Sequence, residues 1–292
     1  IPDWPSSSNA PIGLDPIGHV YLIDPTGNFC GIAQLDELSL AKTGQGGASS
    51  GSNNLPNGIA TPNAIVGMNV GNFTYLIAPT LVGFDSGPHI QVLLQPTFWG
   101  HYFKMLNDGI INHWNPLSCP GPPGSNFFWT LLAPRSVAAP SFELTVFKTS
   151  ITSLGPWMPS DWPTQNPGIV SAAQGSTVTP ADVDAGWTEI YCAGVCLDQA
   201  DGNLLAQVSG QGGATNPHYI IKINSTTGAV MWTVPVRSVD PNGQMMAYSR
   251  IQFSQYGYID QGSGPGHFVF INTITGVATT YTTNMGGLTL EA

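Results

Sequence analysis

The sequence predicts an all-β fold, a β-propeller of about five four-stranded blades with room for six or seven, and three observations predict it. A short apolar strand that opens on histidine, ends on Asn or Asp and turns at glycine occurs four times. Short β-branched and aromatic runs recur in groups of four on a period of about 45–55 residues, the size of a propeller blade. Glycine and proline, 35 and 25 of the 292 residues, are spread along the chain, as many short strands joined by tight turns require.

Residues 1–16, which begin Ile1-Pro2-Asp3-Trp4-Pro5, have no periodic apolar pattern and read as an extended arm. Residues 17–292 read as a single propeller domain, with a Gly/Ser-rich loop excursion at about 39–62. The histidine strands are His19-Val-Tyr-Leu-Ile-Asp24 with Gly27, His101-Tyr-Phe-Lys-Met-Leu-Asn107 with Gly109, His218-Tyr-Ile-Ile-Lys-Ile-Asn224 with Gly228, and His267-Phe-Val-Phe-Ile-Asn272 with Gly276. Asn72-Phe-Thr-Tyr-Leu-Ile-Ala-Pro79 matches Asn126-Phe-Phe-Trp-Thr-Leu-Leu-Ala-Pro134, and each precedes another strand, 89–94 and 142–147. Gly/Pro-rich stretches at 116–125 and 156–181 read as loose. Downstream, 188–192, 203–208, 219–224 and 229–234 make one group of four strands, and 248–253, 256–260, 267–272 and 277–282 make the next. These strands are apolar at nearly every position, as expected when stacked sheets cover both faces. The first hairpin, 20–32, has no evident strand before it, and Gly287-Leu-Thr-Leu-Glu291 has none after it; a ring closed by pairing the chain ends answers both.

Tyr219-Ile-Ile-Lys-Ile-Asn224-Ser-Thr-Thr-Gly228-Ala-Val-Met-Trp232 resembles the repeat of quinoprotein-type (PQQ-like) propellers, in which an apolar strand ends in an Asx turn, then Thr-Gly, then a strand carrying Trp. Asp24-Pro-Thr-Gly27 and Asn272-Thr-Ile-Thr-Gly276 match the turn without the Trp. The resemblance implies the architecture only, because fold and chemistry are separate questions. Quinone-dependent dehydrogenase chemistry would need adjacent paired cysteines and clamping Arg, Asn and Asp; adjacent cysteines are absent and the arginines are Arg135, Arg237 and Arg250.

The net charge is −10, and the seven Lys and Arg residues stand apart from one another. Nucleic acid requires clustered cations to displace condensed counterions, so it is excluded as a partner, as is an anionic membrane surface. No apolar run reaches the ~18 residues of a membrane helix. Charged residues are only 8% of the chain, so solubility rests on Ser, Thr, Asn, Gln and exposed backbone. The first residue is Ile, which reads as a processed or incomplete chain. Cys192-Ala-Gly-Val-Cys196 is the only close cysteine pair, with Cys30 and Cys119 distant; zinc spacing is missing, leaving buried thiols or a local disulfide.

The candidate sites are of three kinds. The repeat histidines could converge on a metal or anion, or each could fill one structural slot. The acidic loops supply Asp182, Asp184, Glu189, Asp198 and Asp201, oxygen ligands for Ca²⁺ or ordinary Asx–Gly turns. Trp4, Trp157 and Trp162 lie in Pro-rich stretches and are the best exposed aromatic faces for a glycan, the alternative being staples that anchor loops. Asn72-Phe-Thr74 and Asn224-Ser-Thr226 are formal glycosylation sequons. No Gly-x-Ser-x-Gly elbow or His–Glu metalloprotease motif appears, so no catalytic residue is assigned, and no cofactor is expected beyond the Ca²⁺ candidate.

The expected function is that of a non-enzymatic structural or attachment component of a phage-like virion, tail or capsid-associated. Such a protein is extracellular or in the virion, and its partners are other subunits of a homo- or hetero-oligomeric assembly and a glycan receptor. The alternative is a secreted propeller enzyme, quinoprotein-like or glycan-acting, or a lectin, with loops at one face forming the pocket.

Overall fold

A computed structural model describes residues 12–14, 19–24, 31–36, 38–39, 41–47, 66–80, 89–94, 99–104, 113–134, 143–151, 169–211, 218–235, 252–254, 257–260 and 267–282. The strands β1 Ile12–Leu14, β2 Val20–Asp24, β3 Gly31–Leu35 and β4 Lys42–Gly47 form one sheet. A second contains β5 Val66–Val70, β6 Phe73–Thr80, β7 His89–Leu94 and β8 Trp99–Lys104. A third contains β9 His113–Pro120, β10 Phe127–Pro134, β11 Leu144–Ile151 and β12 Ile169–Val178, followed by the one-turn helix α1 Pro180–Val183. The fourth sheet is β13 Glu189–Leu197, β14 Leu204–Gln211, β15 His218–Ile223 and β16 Val230–Pro235. The fifth is β17 Gln252–Ser254, β18 Gly257–Asp260, β19 His267–Ile271 and β20 Ala278–Thr282. In every sheet the spatial order is the chain order, a four-stranded meander, which is the blade of a β-propeller. The fold is all-β and of the β-propeller class.

Several strands lie where no apolar pattern announces them. β1 falls in the stretch expected to be an arm and pairs with β2, Ile12 opposite Leu22. Each sheet among the described residues is drawn from one continuous stretch of chain; residues 287–291, expected to pair with the first hairpin, lie outside the described residues. β4 lies inside the 39–62 excursion: Gly47, Gly46 and Gly44 pair with Gly31, Ile32 and Gln34 through backbone alone, and a strand held that way shows no side-chain periodicity. β9 and β12 likewise enter the stretches read as loose.

The histidine repeat does not mark equivalent places. His218 and His267 open third strands, β15 and β19, whereas His19 stands just before the second strand β2 and His101 falls inside the fourth strand β8. The true equivalence lies in the turns. Asp36, Asp198, Asn224 and Asn272 each donate their backbone N–H to the carbonyl five residues on, at 2.8–2.9 Å. Each also accepts, on Oδ1, the N–H of the residue two places on, at 2.9–3.2 Å. The sixth residue then donates its N–H to the side chain of the fourth: Ala41 to Ser39, Asn203 to Asp201, Ala229 to Thr227 and Val277 to Thr275. The motif is Asx-x-x-(Ser/Thr/Asp)-x-x, an Asx turn extended by a second side-chain acceptor. In three copies the fifth residue is Gly202, Gly228 or Gly276, with φ of 74°, 72° and 72°, a conformation that glycine adopts without steric cost.

Packing divides the chain into two compact units, one of Ile1–Ala138 with Phe147–Gln174, the other of Ala139–Val146 with Gly175–Ala292. In the first, Met68, Val70, Tyr75 and Ile77 of the second sheet pack with Phe128, Phe147 and Ile151 of the third. Each large apolar side chain so buried contributes about 1.5–3 kcal/mol. In the second unit, every residue of Leu204–Val208 on β14 and of Tyr219–Ile223 on β15 is buried. Successive strand residues face opposite ways, so both faces of this sheet are covered along β14 and β15.

Candidate functional site

The most concentrated chemistry among the described residues is a buried lysine in the fourth sheet. β15 reads Tyr-Ile-Ile-Lys-Ile, and because both faces of the sheet are covered, Lys222 has no route to water and is fully buried. A buried ammonium needs an acceptor for each of its three N–H bonds. Lys222 Nζ lies 2.7 Å from Asp198 Oδ2, 2.6 Å from Asp201 Oδ2 and 2.7 Å from the Thr273 carbonyl oxygen. The first two belong to the β13–β14 turn of its own sheet, and the third to the β19–β20 turn of the next. The turn geometry aims both carboxylates, since Asp198 Oδ1 accepts from the Ala200 N–H and Asp201 Oδ1 from the Asn203 N–H. Burial pushes the Asp201 carboxyl up, but hydrogen bonds from Lys222 and Asn203 outweigh that and hold it below the usual carboxylate range.

Two of the five calcium candidates, Asp198 and Asp201, are thus brought together, and the cation between them is the Lys222 ammonium. The other three serve separate contacts. Asp182 Oδ2 accepts the N–H and hydroxyl of Thr179, both at 2.8 Å, at the start of α1. Asp184 accepts the Gly186 N–H at 2.9 Å and the Tyr219 hydroxyl at 2.7 Å, and these two bonds, in that order, lower its pKa. Glu189 opens β13 opposite Gln211 and is half-buried. Among the described residues no group of three or more His, Cys, Asp or Glu is placed to hold a metal ion.

Behind Asp184 lies an aromatic pair: Trp187 meets Tyr219 edge-on at 5.2 Å, and the Trp187 indole lies directly on Gly210 of β14. A second aromatic group lies in the first unit, where Lys148 Nζ stands 3.9 Å over the Phe127 ring and 5.2 Å over Trp129. Trp4, Trp157 and Trp162 lie outside the described residues, as does Cys30. His19 meets Tyr21 edge-on at 6.4 Å; the side chains of His101, His218 and His267 lie outside what the structure describes. Of the sequon asparagines, Asn72 is exposed at the β5–β6 turn, while the Asn224 Oδ1 is occupied by the N–H groups of Thr226 and Thr227.

Cys119, Cys192 and Cys196 carry thiols, and no disulfide joins Cys192 to Cys196. A bulge follows Cys192, where its thiol donates to the Gly194 carbonyl at 3.3 Å, and burial pushes its pKa up to about 12. The thiolate is the reactive form. Iodoacetamide at pH 8 should therefore leave Cys192 unmodified in the native protein and alkylate it fully in denaturant, as read by peptide mass spectrometry.

Lys222 escaped the sequence reading, although a signal for it exists. A lone lysine inside a strand covered on both faces must be paired, and the carboxylates of the preceding turn are the nearest partners in sequence.

No family of known proteins matches the sequence, and no individually curated protein does. Among solved structures, the chain is similar to TolB from Acinetobacter baumannii at 12% identity and TM-score 0.44, over 94% of this chain and 54% of that one, so it spans about half of TolB. It is similar to the endo-arabinase from Bacteroides thetaiotaomicron at 10% identity and TM-score 0.45, over 96% and 94% of the two chains. It is also similar to the PQQ-bound aldose sugar dehydrogenase from Streptomyces coelicolor at 11% identity and TM-score 0.49, over 95% and 86%.

Proposed function

We propose that this chain is a non-enzymatic structural or attachment protein of a phage-like virion, a β-propeller that works by associating with other protein subunits and with a glycan receptor. It acts outside the cell, uses no cofactor, and its acidic turn residues are structural.

One observation carries this reading. The third residue of the Asx turn points to solvent in every copy, and the turn itself makes no demand on its side chain: Ala200 and Thr226 occupy that place in two of the four. Yet the other two copies place Leu38 there, 89% exposed, and Ile274, 57% exposed, with Val277 beside it at 62%. Large aliphatic side chains on a rigid turn, in a chain with 8% charged residues, suit a surface that is covered when subunits assemble.

The test is mass spectrometry of purified particles together with sedimentation of the isolated protein and of Leu38→Ser and Ile274→Ser variants. The chain should be found in the particle, and the purified protein should associate more weakly in at least one variant. A monomeric protein that meets no virion subunit and consumes a glycan or redox substrate would overturn the reading in favour of the secreted enzyme.

A further inference from the structure

We propose that Lys222 and Trp232 form a charge-operated latch that fastens the β19–β20 turn onto the sheet β13–β16, so that neutralising the carboxylates which hold Lys222 frees that turn and its two strands while β13–β16 stays folded.

Two neighbouring side chains grip one turn. Lys222 of β15 and Trp232 of β16 stand directly opposite each other across their strand pair. Lys222 reaches the carbonyl of Thr273, the second residue of the Asn272–Val277 turn, at 2.7 Å. The Trp232 ring packs on Gly276, the fifth residue, so closely that a Cβ added there would stand 2.8 Å from its Cγ. Gly276 also has a φ of 72°, so both its missing side chain and its backbone conformation fit the grip.

The two contacts respond differently to charge. Trp232 holds by van der Waals contact, which does not depend on pH. The Lys222 bond depends on Asp198 and Asp201, which keep the ammonium charged and extended inside a sheet that offers it no water. Without that negative charge the buried ammonium is uncompensated, which weakens its hold on the Thr273 carbonyl. Among the described residues the charged groups paired with Lys222 are these two carboxylates. β14, β16 and the Asn272–Val277 turn carry no ionisable side chain that could replace them. Among the described residues β17 and β18 span three and four residues and β19 and β20 five each, and short ladders open first.

The direction with pH follows from Asp201, whose carboxyl lies below the usual carboxylate range. A lowered folded-state pKa means the latch is fully closed above the unfolded carboxylate value of about 3.9 and opens as pH falls through the folded value.

Hydrogen exchange of the full chain, read by mass spectrometry as protection factors for wild type, Lys222→Met and Asp201→Asn, tests this. In Lys222→Met, peptides covering 267–282 should lose about tenfold or more in protection, while peptides covering 189–211 change much less. Acid should produce the same selective loss in wild type and add little to it in the variant. If Lys222→Met does not fold, Asp201→Asn at neutral pH carries the test, because its partly exposed side chain makes it the milder change. Equal loss in both regions, or no loss at 267–282 in either variant, would overturn the latch.

Discussion

Replacing Gly210 with alanine should destabilise the protein by about 3 kcal/mol, at the upper end of what overpacking a core position costs. Gly210 lies in β14 opposite Ile190, and the indole of Trp187 rests on the space a Cβ would fill, overlapping its Cδ2, Cε2 and Cε3 positions. Neither side yields easily. The glycine is in a strand paired to β13, and Trp187 is buried with its edge against Tyr219. Moving the ring disturbs Tyr219 and thus the hydroxyl that donates to Asp184 at 2.7 Å. Urea unfolding should show a lower midpoint with an unchanged slope, and near-ultraviolet circular dichroism should lose intensity. Wild-type stability in the variant would mean that Trp187 does not lie on this strand. Gly276→Ala should also destabilise, since a φ of 72° disfavours any Cβ and the added atom would stand 2.8 Å from Trp232 Cγ.

Asp198→Ala should cost about 3–5 kcal/mol, because it strips a partner from an ammonium that has no solvent to turn to. Asp201→Asn should cost less: the Asp201 side chain is 28% exposed, so water can take up part of the lost interaction. The pair also separates charge from shape. Replacing Lys222 with Met and Asp198 with Leu together should recover much of the loss, since a well-packed apolar group often equals a buried ion pair. Chemical denaturation of Lys222→Met, Asp198→Leu and the double variant measures this. Additive losses in the double variant would show that packing around Lys222, and not its charge, is what the fold uses.

How much of this is legible in the sequence depends on what holds each element. The strands of the fourth sheet could be read from runs such as Tyr219-Ile-Ile-Lys-Ile, because burial on both faces demands apolar residues at consecutive positions. The match between Asn72 and Asn126 marks a structural equivalence: each precedes the second strand of its sheet, β6 and β10. β4 was hidden because glycine backbones pair without any side-chain pattern. The histidines misled, since a residue at a strand start is conspicuous in sequence, whereas the hydrogen bonds that define the repeat belong to the Asx and Ser/Thr/Asp positions of the turns. That is why the Asp36 copy, which no histidine strand precedes, has no signal in the repeat, while the Asp198 copy is legible only as an ordinary Asx–Gly turn. At the site, the oxygens of Asp198 and Asp201 are legible in sequence but their cation is not, because a single lysine in an apolar strand carries no signal until both faces are known to be covered. Asp182, Asp184 and Glu189 were grouped with them by proximity in sequence, while α1 and the Tyr219 contact direct the two aspartates elsewhere.

An experimental structure of β13–β20 at side-chain resolution, determined with calcium in the buffer, decides whether these turns are built around an internal lysine. It should show four consecutive strands side by side, with the Lys222 ammonium between Asp198 and Asp201 and on the Thr273 carbonyl. A metal ion between those carboxylates with Lys222 turned away, or β13–β16 divided between two facing sheets, would contradict it.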